Sequence, residues 1–224
     1  MTTLNLPFSG NEAADRLLEE DPLALLIGMV LDQQIPLEKA FHGPLVLRER
    51  MGGGPLDVRA IADADEESIV AWFATPPAIH RFPASMGTRV QEVCRHLVEV
   101  YDGRAQDVWE TAADGNELLA RVKAMPGFGD QKAKIFVALL GKRLGVAPEG
   151  WAEAAGPYGE PGSFRSVADI DGPGALAQVR AYKKEMKAAA RAAAESSPPT
   201  LKPTLKPKAK ARAVGKRRSG SASG

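Results

Sequence analysis

A chain of 224 residues, 44% of them hydrophobic, can bury a sizeable core, yet no apolar run approaches the roughly 18 residues that a membrane span needs. Its single cysteine, Cys94, excludes an internal disulfide and a four-cysteine zinc or iron–sulfur site. The net charge of +1 conceals opposed segments: 13 Lys/Arg against 2 Asp/Glu from Arg180 onward, and 16 against 26 before it.

The N-terminal stretch MTTLNLPFSGNEAADRLLEEDP lacks a basic start followed by an apolar run. No signal peptide is therefore expected, and the protein is assigned to the cytoplasm. Leu17, Leu18, Leu23, Leu25, Leu26, Met29, Val30 and Ile35 then recur at helical spacings, and LALLIGMVL (Leu23 to Leu31) reads as a buried helix. Gln33 and Gln34 follow it, and by themselves they fit amides that cap a helix end. His80 and Arg81 lie in the Pro-rich turn TPPAIHRFP, where such residues touch phosphates or cap a neighbouring helix. SMGTRVQEVCRHLVEVY carries an apolar stripe of Val90, Val93, Cys94, Leu97, Val98 and Tyr101. GNELLARVKA and QKAKIFVALLGKRL form two more helices, and PGALAQVRAYKKEMKAAARAAAE is a long Ala-rich last one. No run alternates with period two, so the fold is all-α. Residues 1–195 form the helical domain. Residues 196–224 hold eight Lys/Arg and no acid, and are expected to be a disordered basic tail, either polyanion-binding or merely solubilising.

The most informative break is MPGFGDQKAKIF, Met125 to Phe136, inside a helical hairpin spanning residues 115–144. Pro126 stops one helix, and Gly127 and Gly129 permit backbone angles that other residues avoid. A side-chain-free turn leaves the N–H groups of the next helix facing outward, a site for an anion, with Lys132 and Lys134 close behind. It suits a nucleic-acid phosphate and carries no sequence information. The plain alternative is a helical hairpin with a glycine turn.

Three motifs in order, DPLALLIGMVLDQQIPLEKAF, TPPAIHRFPASMGTRVQEVCRHLVEVYDG and MPGFGDQKAKIFVALL, resemble the helix-hairpin-helix (HhH-GPD) superfamily of DNA glycosylases of base-excision repair. The likeness runs from Asp21 to Gly145. It implies a two-lobed helical fold with a cleft between the lobes, and a monomer that binds double-stranded DNA and associates with the nucleoid. The iron–sulfur cluster of some members is excluded here, no metal-ligand set is evident, and a monovalent cation at hairpin carbonyls is the one ion implied. Gln34 or Gln33 stands where the family places a glutamine that fills the gap left by an extruded base. The resemblance implies DNA contacts at Gln33, Gln34, His80, Arg81, Gly127, Gly129, Gln131, Lys132 and Lys134. Trp72, Phe73, Trp109, Trp151 and Tyr158 read as core, with Trp151 and Tyr158 the first candidates for stacking on a base.

Bifunctional members carry a lysine nucleophile where this chain has Gln131, which cannot form an imine, so lyase chemistry of that type is not expected. Lys132 is adjacent, but one residue along a helix turns it about 100° away. Counting on to the family's essential aspartate reaches Glu149, without the surrounding motif. Glu149 is thus the catalytic candidate, with Asp32, Asp169 and Asp171 behind it. The implied activity is monofunctional N-glycosylase hydrolysis. The alternative is a non-catalytic DNA-binding module that kept the hairpin and lost the acid.

Overall fold

The computed structural model describes residues 5–196, and the chain divides into one unit of Met1–Lys187 and another of Ala188–Gly224. The tail expected from residue 196 lies outside the described residues, apart from Ser196, which ends the last helix. The described residues hold eleven α-helices: α1 (Glu12–Glu20), α2 (Pro22–Leu31), α3 (Leu37–Arg50), α4 (Val58–Asp63), α5 (Glu66–Ala74), α6 (Pro83–Tyr101), α7 (Asp107–Glu110), α8 (Gly115–Ala124), α9 (Asp130–Leu139), α10 (Trp151–Ala155) and α11 (Pro173–Ser196). None of them is a strand, and no described helix is long and apolar enough to cross a membrane.

The helices begin where short polar side chains can satisfy free N–H groups. Asn11 accepts from Ala14 N–H, Asp21 from Leu23 and Ala24, Asp65 from Ser68, and Asp114 from Glu117. Pro22 follows Asp21 at the first helical position, where a missing N–H costs nothing. Behind that cap every residue from Leu23 to Leu31 is buried, as an all-round apolar helix requires. Each such Leu, Ile or Val contributes about 1.5–3 kcal/mol by leaving water.

Around α2 the packing is close. Gly28 lets α3 approach, since a Cβ there would meet the Phe41 ring at 2.7 Å. Phe41 in turn meets Phe8 edge to face, with ring centroids 4.9 Å apart. Helix α6 packs on α4 and α5, while α8, α9 and α10 pack together. Helix α3 carries His42 and runs on through Pro44 in its interior.

Candidate functional site

The glycine turn is built as its residues demand. Helix α8 ends at Ala124, and Gly127 takes a left-handed φ of +83°. Phe128 between the glycines is 4% exposed and packs on Phe136, centroid to centroid 5.7 Å, which anchors the turn in the core. The two glycines differ. A Cβ on Gly127 would meet Arg89 Cδ of α6 at 2.7 Å, so the missing side chain makes room for a guanidinium stem beside the turn. Gly129 has an ordinary φ of −71° and opens on space, so its backbone makes no demand for glycine.

Asp130 is the first residue of α9 and takes ion pairs from Lys123 and Lys134, each at 2.8 Å. Hydrogen bonds from these two lysines hold its carboxyl down at about 2. Asp130 thus adds a negative charge to the first turn of α9, whose N–H groups carry no side-chain cap hydrogen bond, and Lys134 is engaged with Asp130. A monovalent cation would have to share carbonyls that the turn already uses. Met125 O accepts from Phe128 N–H, and Gly129 O accepts from Ala133 N–H.

Lys132 does not face the turn. Its amine reaches across to the end of α2, donating to Met29 O at 2.7 Å and Val30 O at 3.1 Å. Burial drives its pKa from 10.5 down to about 8, with Asp32 opposing that fall and Arg89 adding to it. Asp32 closes α2, and burial raises its pKa against the attraction of Lys183 and Lys132. These groups line one cleft of about 390 Å³ together with Gln33, Gln34, Gln131 and Lys183. A second hollow of about 230 Å³ adjoins it, sharing Asp32, Ile35 and Lys183, with aliphatic walls that include Leu37, Ile170 and Val179.

The glutamine pair separates into two roles. Gln33 turns back, its amide donating to Val30 O at 2.8 Å. Gln34 is exposed and adopts φ +57°, a left-handed conformation that a non-glycine residue holds at a cost. His80 secures this loop: it is 1% exposed, its Nε2 donates to Gln33 O at 2.9 Å, and its Nδ1 accepts from Phe82 N–H. With both nitrogens engaged and the ring buried, His80 orders the loop instead of reaching for a phosphate. Arg81 is exposed and lies over the Phe82 ring, 4.8 Å from its centroid. Phe82 is itself 43% exposed, an aromatic at the rim that sequence reading passed over.

No protein-family model, curated protein or solved structure matches the chain.

Glu149 is not among the residues lining the cleft. It is exposed, and its backbone carbonyl accepts from Gly115 N–H at 2.8 Å. Asp169 is committed to structure: its carboxylate accepts from Lys142 Nζ, Ser163 Oγ, and the N–H groups of Arg165 and Ser166. Asp171 is exposed. Trp151 packs on Gly141, where a Cβ would meet the indole at 2.3 Å, and so it is a packing residue. Tyr158 accepts at its hydroxyl from the Gln131 amide across 2.9 Å, placing it at the cleft edge. Asp32 is then the carboxylate that the structure brings to the cleft, and its only sequence signal was its place before the glutamine pair.

Proposed function

We propose that the protein is a DNA-binding base-excision repair protein, a monofunctional N-glycosylase of helix-hairpin-helix type that extrudes a damaged or mismatched base into the Asp32 cleft. One observation carries the reading: the end of α2 with Asp32 and Gln34, and the start of α9 with Gln131 and Lys132, are about 100 residues apart in sequence and line the same cleft. On this reading the fold is two-lobed, with that cleft between the lobes. The alternative, a DNA-binding module without chemistry, draws support from the exposed position of Glu149.

Each cleft residue has a part. The turn before α9 meets a phosphate through its backbone, with Gly129 leaving open space for the approach and Arg89 beside it. Gln34 enters the gap in the stack, and its left-handed backbone holds the side chain outward. As the bond between the sugar and the base nitrogen breaks, the sugar becomes cationic. The Asp32 carboxylate faces that charge in a poorly solvated cleft, where its attraction is stronger than in water. Water then adds to the sugar, and a proton passes to the departing base or to solvent. Lys183 and Lys132 favour the charged form of Asp32, opposing the burial that raises its pKa.

The test is a panel of duplexes bearing uracil, oxidised or alkylated bases, incubated with the protein and then treated with alkali. Strand scission that requires the alkali step supports a monofunctional glycosylase. Binding without scission on every duplex overturns the enzyme reading and leaves the binding module.

A further inference from the structure

Helix α11 changes character along one face. Val179, Lys183 and Lys187 follow one another at intervals of four residues, so they share a face and rise about 6 Å per step. Val179 is 2% exposed and Ala175, four residues earlier, 7%, so the first two turns use that face as core. Lys183 and Lys187 carry it on as exposed amines. An amphipathic helix that only covered a core would keep the stripe apolar or end it. This stripe becomes basic where it reaches the cleft, because Lys183 lines both the cleft and the adjoining hollow.

The nearby charges leave these amines available. Arg180, one turn before, is tied to Glu38 of α3. Lys183 feels the Asp32 carboxylate, but among the described residues neither Lys183 nor Lys187 forms an ion pair. Two unpaired ammonium groups in line with a cleft fit successive phosphates of one strand, since Lys binds phosphate as a mobile point charge.

We infer that α11 is a strand guide: Lys183 and Lys187 hold the backbone phosphates beside the extruded nucleotide. This rests on the DNA-binding reading above and adds a contact surface outside the hairpin and the glutamine loop. It concerns affinity and its dependence on salt, and does not require excision.

The experiment measures binding of the full chain to an undamaged duplex at several salt concentrations, for wild type, K183Q/K187Q, and a charge-matched control, R16Q/R104Q. Arg16 and Arg104 are exposed, ion-paired and absent from the cleft lining. Each phosphate neutralised adds about 0.9 to the slope of log affinity against log salt, so K183Q/K187Q should lower the slope by nearly two. The control should leave it near wild type. Thermal melting should be unchanged in both, because all four side chains are exposed. A K183Q/K187Q slope equal to wild type, or a drop matched by the control, overturns the inference while leaving DNA binding intact. A wild type that does not bind the duplex overturns the DNA-binding reading itself, and the strand guide with it.

Discussion

The amine of Lys132 lies 2.7 Å from the carbonyl oxygen of Met29, so the helix behind the glycine turn is bonded directly to the end of the central apolar helix. The bond spans 103 positions in sequence and brings the hairpin and the Asp32–Gln34 loop to one cleft. A buried lysine here also makes stability depend on pH. The folded pKa of about 8 lies below the ordinary 10.5, so between those values the unfolded chain holds a proton that the folded one has lost. Stability from this group therefore rises as pH climbs from about 8 to 10.5. The melting-temperature difference between wild type and Lys132→Met should grow in favour of wild type over that window. Parallel curves would show that burial does not depress this amine.

The two glycines of the turn are expected to behave differently. Gly127→Ala forces a Cβ onto a left-handed backbone and against Arg89, and should cost about 1 kcal/mol or more in thermal melting. Gly129→Val meets no neighbour at an ordinary φ and should melt like wild type. Its added bulk points into open space at the turn, so duplex affinity should fall. Unchanged affinity in a normally folded Gly129→Val protein would leave the turn a structural element only.

Gln34 pairs conformational cost with exposure. Gln34→Gly removes the left-handed penalty of about 1–2 kcal/mol, and glycine's larger unfolded-state entropy offsets part of the gain. Melting should therefore stay level or rise, while affinity for a mismatched or damaged duplex drops. A loss of stability without a change in affinity would mean that the side chain serves the fold.

On the proposed glycosylase reading, two carboxylates compete for the chemistry. Asp32→Asn should retain binding and reduce excision by about 10²-fold or more, the usual effect of losing transition-state charge stabilisation. Glu149→Gln should leave excision near wild type, since Glu149 is exposed and does not line the cleft. The reverse result would move the reacting centre to the loop after α9.

Gly141 offers a control for the fold alone. Substitution by Ala places a methyl group 2.3 Å from the Trp151 ring and should destabilise by about 1–3 kcal/mol, as overpacking does. Binding measured below the melting transition should not change. A binding loss at full foldedness would make Trp151 more than a packing residue.

The sequence by itself determined the helical class, the buried α2, the amphipathic α6 and the break at Gly127, because each follows from local rules. Apolar periodicity, a capping aspartate and a residue needing positive φ are legible over a few positions. It could not show that Phe128 turns inward while Gly129 faces open space. The candidate site was less legible still. Gln131 and Lys132 are neighbours in the chain, but one bonds Tyr158 and the other reaches the carbonyls of α2, a division set by what packs on each side of α9. In the sequence Glu149 ranked ahead of Asp32 as the catalytic carboxylate. Only the tertiary structure placed one in solvent and the other between two lysines, because burial and long-range charge belong to positions in space and not to positions along the chain.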